Sequence, residues 1–172
     1  KESVECLKGN GPVDLMDVVF YLGKEALKLA GVQSPEEKLQ TAISNGSAME
    51  KFRKMVESHG GAIDSLNDQN FNKPKYSKQV YAQADGYITF FDTLSLGMAV
   101  VHLGGGRLQK TDQLDPTAGI NFHKKIGDMV NKGDVIMEYY CSDNNKFNFA
   151  NHLFQDTYII GSENINTTSL FY

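Results

Sequence analysis

Residues 124–136 read KKIGDMVNKGDVI, and this segment carries the clearest structural pattern in the second half of the chain. Two Gly-Asp pairs, at residues 127–128 and 133–134, bracket a short hydrophobic crossing. Gly-Asp pairs are typical of turns, and the apolar run after the second pair predicts a strand over residues 135–141. The stretch therefore predicts two tight turns and a strand of a small β-rich domain.

The sequence around this stretch extends the β pattern. Apolar and β-branched runs separated by turn signals such as Asp85-Gly86 predict further strands at residues 76–82, 87–91, 98–103, 119–123 and 157–160. Short strands joined by frequent turns indicate a small barrel or sandwich. Residues 162–172 carry no clear pattern and receive no prediction.

The first part of the chain has the periodicity of helices instead. One helix is predicted to begin after an N-cap at Asp14 and to end at Gly31. Ser34 and Ser47 are predicted to open two more helices through capping boxes, and these end at residues 45–46 and 59–61. The sequence therefore predicts an α+β protein, with a helical segment at 1–70 and a β-rich domain at 71–172.

Composition narrows the class of protein. The chain has 172 residues, 41% of them hydrophobic, and a net charge of −4. No apolar run is long enough to span a bilayer, and the charge argues against a dedicated nucleic-acid binder. Cys6 and Cys141 lie far apart and outside any CxxC pair, so free thiols in a reducing cytoplasm are predicted, with one long-range disulfide as the alternative.

One local motif stands out for its possible chemistry. Gly104-Gly105-Gly106-Arg107 could hold phosphate through backbone N–H groups, although it fits neither GxGxxG nor GxxxxGK[ST]. The alternative is a tight bend that only glycine permits. Asp112, Asp115 and Asp128 are interpreted as turn residues, and no HExxH or GxSxG motif is present.

The rhythm of residues 124–136 resembles the barrel-sandwich hybrid of biotinyl and lipoyl carrier domains. A carrier needs an acceptor lysine on an exposed hairpin within an MKM or DKA motif. Lys146 follows the strand but lies in neither motif. A non-catalytic binding or carrier-like module is therefore the alternative function.

A wider pattern resembles the pyrimidine-nucleoside phosphorylase and thymidine phosphorylase family near its C-terminus. The resemblance covers roughly residues 1–141. It rests on LKGNGPVDL at 7–15, AMEKF at 48–52, PKY at 74–76, LGGGR at 103–107, KTDQLD at 110–115, AGI at 118–120 and HKKIGD at 123–128.

The resemblance implies a reaction and an organisation. Members of the family cleave uridine, thymidine or related nucleosides with phosphate, giving a free base and a (deoxy)ribose 1-phosphate. No organic cofactor, nucleic acid or membrane is implied, and the parent enzyme is expected to be a cytoplasmic homodimer. This chain would hold the last helices of the family's α/β domain and its whole C-terminal domain.

The resemblance also implies that no catalytic or substrate-binding residue lies in this chain. The family's KHSTGGVGD-like phosphate signature is absent from it, and the chain begins at Lys1 within a helical pattern. A fragment that is inactive alone is therefore expected. Glu2 is the one candidate ligand, for the family's potassium ion. Gly104, Gly105, Gly106 and Arg107 are expected to take part in closure of the domains.

Overall fold

The computed structural model describes residues 1–68 and 70–165. Backbone contacts divide the chain into two compact units, Lys1–Phe71 and Asn72–Tyr172. No helix in the described ranges is long and apolar enough to cross a membrane.

The first unit is helical, as predicted. Its helices are α1 (Glu2–Leu7), α2 (Val13–Leu29), α3 (Pro35–Ser44) and α4 (Ser47–Ser58), followed by a 3₁₀-helix at Ile63–Asn67. Gly31 lies just past the end of α2 with a φ of +73°, the left-handed conformation that closes a helix. The predicted end of this helix is therefore confirmed.

Of the three predicted N-caps, Ser34 is confirmed in position as the N-cap of α3, but its capping box is wrong, and the N-caps predicted at Asp14 and Ser47 are wrong. Asp14 lies inside the first turn of α2, and Pro12 is the N-cap. Ser34 precedes α3 but its side chain makes no capping hydrogen bond, and Ser47 is already helical after an N-cap at Gly46. The physical reason is backbone conformation, because a capping serine needs an extended backbone. Ser34 has a φ of +49° instead.

The helical unit buries little of its apolar surface. Among the residues of this unit that the structure describes, only Val4 and Ile63 are buried, and α2, α3 and α4 contain no fully buried residue. Leu22 and Leu29 on α2 are 61% and 92% exposed. An amphipathic helix is stabilised mainly by packing of its apolar face. The faces of these helices therefore remain available for another partner.

The second unit contains two three-stranded antiparallel sheets. Its strands are β1 (Tyr76–Tyr81), β2 (Gly86–Phe91), β3 (Gly119–Phe122), β4 (Met129–Val130), β5 (Val135–Cys141) and β6 (Tyr158–Gly161). One sheet has the order β1-β5-β3 and the other β4-β2-β6. Gly127 and Gly133 have φ values of +94° and +95°, so the Gly-Asp turns form where predicted.

A single hydrophobic core joins the two sheets. Ile88 of β2, Val130 of β4 and Ile136 of β5 are at most 1% exposed and belong to one cluster of buried side chains. The Tyr139 ring stacks on that of Phe154 with centroids 4.0 Å apart. Small sheets around a shared core, together with the helices, confirm the predicted α+β class.

The predicted strand at residues 98–103 is wrong. This segment forms the end of α5 (Thr93–Val100) and the start of a π-helical turn at Val101–Gly105. The Asp92 carboxylate caps α5 by accepting hydrogen bonds from the Ser95 N–H at 3.0 Å and the Ser95 hydroxyl at 2.7 Å. Leu96, Ala99 and Leu103 are buried. Their spacing of three and four residues places them on one helical face.

Helix α6 (Asn144–Ala150) follows β5 and has a side-chain cap. The Asp143 carboxylate accepts hydrogen bonds from the Asn145 N–H at 2.8 Å and the Lys146 N–H at 3.0 Å. We expect Asp143→Ala to lower the free energy of unfolding by about 1 kcal/mol, because two amides at the helix start lose their acceptor. Urea unfolding checks this. The matched control is Asn144→Ala, and equal losses in the two variants would contradict the capping role.

Candidate functional site

The glycine turn, Gly104-Gly105-Gly106-Arg107, begins within the last two residues of the π-helical turn at Val101–Gly105. Leu103 and Gly104 are buried, whereas Gly105 and Arg107 are exposed. Gly104 has a φ of +105°, a conformation that residues with a side chain rarely adopt. The turn therefore reverses the chain from a buried helix end towards the surface.

Gly104 is also closely packed, so that a side chain there would have to displace its neighbours. A Cβ added there would lie 3.1 Å from Cβ of Asp115 and 3.1 Å from Nζ of Lys146. Both neighbours come from distant parts of the sequence. The glycine turn is thus a close crossing of three segments, which agrees with the interpretation as a bend that only glycine permits.

Asp115 is the side chain that holds these segments together. Its N–H donates to the Gly104 carbonyl at 2.9 Å. Its carboxylate accepts from the Ser142 N–H at 2.6 Å and from the Thr117 hydroxyl at 2.6 Å and N–H at 2.8 Å. The Thr117 and Ser142 hydroxyls lie 2.8 Å apart and share a further hydrogen bond. Asp115 therefore links three segments: its backbone N–H bonds to the glycine turn, and its carboxylate joins the residues just before β3 to the residue just after β5.

The electrostatics of this cluster favour an ionised Asp115. Burial raises the pKa of Asp115, but hydrogen bonds from Thr117 and Ser142 and the charge of Lys146 outweigh it, so the pKa lies below its ordinary value. Lys146 is half-buried, and its Nζ lies 3.4 Å from the Gln113 carbonyl. The Asp115 carboxylate and the Lys146 ammonium thus lie on the buried side of the glycine turn and stabilise it.

Arg107 is the exposed end of this arrangement. No side chain in the described part of the protein pairs with its guanidinium. A guanidinium is a planar donor suited to carboxylates and phosphates. The Arg107 guanidinium is therefore an unpaired cationic group on a turn that contacts at Gly104 hold in place.

The turn interpretation of the aspartates holds for two of the three. Asp112 accepts hydrogen bonds from Leu108 and Gln109, and Asp128 accepts one from Lys125, all within four residues. For Asp115 the interpretation is incomplete, because its bond to Ser142 spans 27 residues. No short-range pattern in the sequence indicates such a contact, and the roles of Thr117 and Ser142 were missed for the same reason.

The remaining candidate residues lie apart from this cluster. Glu2 is exposed in the first turn of α1 and offers one carboxylate. Within residues 1–68 and 70–165, no three His, Cys, Asp or Glu side chains gather as a metal site. Cys6 and Cys141 are free thiols, as predicted, and burial raises the pKa of Cys141.

Lys146 does not have the setting of a carrier lysine. It lies in the first turn of α6, and its side chain packs beside Gly104. The carrier-like alternative needs an acceptor on an exposed hairpin. No structural observation at Lys146 favours that alternative.

Comparisons with known proteins identify the family. The family described as "Pyrimidine nucleoside phosphorylase C-terminal domain" matches residues 87–161. The pyrimidine-nucleoside phosphorylase of Staphylococcus epidermidis (strain ATCC 12228 / FDA PCI 1200) is 38% identical over 148 residues, which are 83% of this chain and 34% of that protein. The enzyme of the same name from Bacillus subtilis (strain 168) is 33% identical over 150 residues, 84% of this chain and 35% of that protein.

These matches also define how much of the family the chain represents. The chain spans about one third of the length of the curated relatives that it matches. The matched family domain includes the glycine turn, Asp115 and Lys146. The chain belongs to the pyrimidine-nucleoside phosphorylase family, of which it represents a C-terminal portion.

Proposed function

We propose that this chain is part of a pyrimidine-nucleoside phosphorylase, and that the complete enzyme cleaves uridine or thymidine with phosphate. The products are the free base and (deoxy)ribose 1-phosphate. The observation that carries the proposal is the similarity to relatives named for this activity, at 32–38% identity over more than four fifths of the chain. No catalytic residue is assigned to this chain, so alone it is inactive.

A second observation supports the view that more of the protein exists. Helix α2 leaves Val19 at 47%, Leu22 at 61% and Leu29 at 92% exposure, and their spacing of three and seven residues places them along one side of the helix. Exposed apolar surface of this kind marks an interaction site. Its occupant is, in this proposal, the part of the enzyme that corresponds to the other two thirds of the relatives.

The reaction needs charge stabilisation rather than covalent chemistry. Cationic and donor groups hold phosphate near C1′, and polar groups stabilise the departing pyrimidine anion. These groups belong to the rest of the polypeptide in this proposal. Phosphate is the co-substrate, and no organic cofactor is needed.

The chain's own contribution lies at the edges of the active site. The glycine turn helps to close the domains around substrate, with Arg107 as its exposed donor. Glu2 supplies one ligand to a potassium ion whose other ligands lie outside this chain. The free thiols Cys6 and Cys141 suit a cytoplasmic enzyme, and the complete protein is a homodimer in this proposal.

The test compares this chain with a longer product that includes the coding sequence upstream of Lys1. We expect the longer product to release uracil from uridine, or thymine from thymidine, only when phosphate is present. We expect the 172-residue chain to release neither base. A longer product that is folded but inert towards both nucleosides contradicts the proposed reaction, and activity of the short chain contradicts the assignment of catalysis to the rest of the protein.

A further inference from the structure

A second candidate site lies in the β-rich unit, on residues that the glycine turn does not use. It is a cavity of about 460 Å³ between β1 and residues 151–158. Residues 78–81 of β1 form one wall, and Asn151, Gln155 and Tyr158 are among those on the other. Its volume is in the range of small-molecule sites. We call it the β1 groove.

The β1 groove is held in shape by the core and by hydrogen bonds between its walls. Its floor includes Tyr139 and Phe154, each 1% exposed and stacked on one another. The Tyr158 hydroxyl donates to the Tyr81 carbonyl at 2.9 Å and so links the two walls. A ligand would therefore meet a cavity that is already formed.

Asn151 has a fixed orientation in this groove. Its Oδ1 accepts from the Lys78 ammonium at 2.6 Å and from the Tyr139 hydroxyl. An ammonium can only donate, and burial raises the pKa of Tyr139 to about 12, so this phenol keeps its proton. The Asn151 side-chain NH₂ consequently points away from both groups. It has no hydrogen-bond partner in the described part of the chain.

Other planar polar groups in the groove are equally available. Gln79 uses its Oε1 to accept from the Tyr81 hydroxyl, and its NH₂ is unpaired within the described ranges. The Gln155 side-chain amide likewise has no partner there. Gln79 and Tyr81 alternate with Lys78 along the edge strand β1, so their side chains border the groove from the other face of that strand, where Tyr81 is 45% exposed.

The groove has no net charge. Among the described residues that line it, Lys78 and Asp156 are the only charged ones, and their formal charges cancel. An anion such as phosphate gains no net attraction from this balance. Amide groups that both donate and accept suit hydroxyls, and an aromatic face suits the C–H face of a ring.

We propose that the β1 groove binds an uncharged, polyhydroxylated ring, namely a sugar or the sugar part of a nucleoside. The ring's C–H face stacks on Tyr81, and its hydroxyls accept from Asn151 and Gln79 and bond to Gln155. This binding is independent of the phosphorylase reaction, because the groove lies wholly within the present chain.

The test is titration of the isotope-labelled 172-residue chain with ribose, maltose, uridine and uracil, followed by amide chemical shifts. We expect saturable shifts at Lys78, Gln79 and Asn151 with at least one of the first three compounds. Ribose and maltose report a free sugar, and uridine alone reports a nucleoside. No saturable shift with any of these three, or an equal response to uracil, overturns the proposal.

The affinities of variants distinguish a specific binding site from weak non-specific binding. Asn151→Asp keeps the oxygen that Lys78 and Tyr139 bond to but removes the NH₂ donors. We expect the dissociation constant to rise roughly fivefold or more, the effect of one lost hydrogen bond. Tyr81→Leu is expected to weaken binding by removing the aromatic face. The matched control Lys132→Met lies outside the groove and leaves affinity unchanged, whereas unchanged affinity in Asn151→Asp refutes the proposal.

Discussion

Replacing Gly104 by alanine is expected to lower the free energy of unfolding of the β-rich unit by about 3 kcal/mol. Two costs add. The backbone at Gly104 has a φ of +105°, which strains any residue with a side chain. The new methyl group would also lie 3.1 Å from Cβ of Asp115 and from Nζ of Lys146, in a place that is already buried.

Gly133→Ala is the matched control for this prediction. Gly133 has a φ of +95°, but a Cβ added there meets no atom within 4 Å. We expect Gly133→Ala to lower the free energy of unfolding by about 1 kcal/mol, through backbone strain alone. Urea unfolding followed by tyrosine fluorescence measures both, since of the eight tyrosines only Tyr21 precedes residue 72. Equal decreases in the free energy of unfolding in the two variants would show that crowding at Gly104 does not contribute to the effect of Gly104→Ala.

The features that short-range patterns govern could be predicted from the sequence. The turns at Gly127 and Gly133 form because glycine and aspartate favour that geometry locally. Strand β5 follows because a run of apolar and aromatic residues comes directly after the second turn. The helices of the first unit were likewise found from the spacing of their apolar residues.

The incorrect strand prediction at residues 98–103 shows a segment where a strand propensity and a helical pattern occur together. The β-branched pair Val100 and Val101 suggests a strand. The Asp92 cap and the helical spacing of Leu96, Ala99 and Leu103 outweigh that propensity in the folded protein. The signal for the helix was thus present in the sequence, but it began six residues before the predicted strand.

The candidate sites depend on contacts that no local pattern indicates. The β1 groove joins Lys78 to Asn151 across 73 positions of the sequence. Asp115 reaches Ser142 across 27. The glycine turn was conspicuous in the sequence, but what fixes it is the packing of three distant segments. Such pairs follow from the topology of the sheets rather than from residue spacing.

Asp115→Asn tests how much the Asp115 carboxylate stabilises the junction between Thr117 and Ser142, next to the glycine turn. Asparagine can accept with its single oxygen, but its NH₂ group would face either the Ser142 N–H or the Thr117 N–H, both of which now donate. A donor left without an acceptor costs about 2 kcal/mol, so we expect a loss of that size in the free energy of unfolding at pH 7. Asp112→Asn is the matched control, because Asp112 accepts two amides only within its own turn. We expect Asp112→Asn to lower the free energy of unfolding by less than Asp115→Asn does.

The pH dependence of this effect has a definite sign. The folded protein lowers the pKa of Asp115, so the unfolded chain binds a proton first as the pH falls. The stabilisation by the carboxylate is therefore fully present above the ordinary pKa of 3.8 and is lost as the pH falls through the lower, folded value. Urea unfolding at pH 7 and at successively lower pH should show the gap between the parent chain and Asp115→Asn narrowing in this window. A gap that stays constant down to complete protonation would mean that the loss in Asp115→Asn comes from shape and not from charge. The ionised carboxylate would then not be what joins the segment of Asp115 and Thr117 to Ser142.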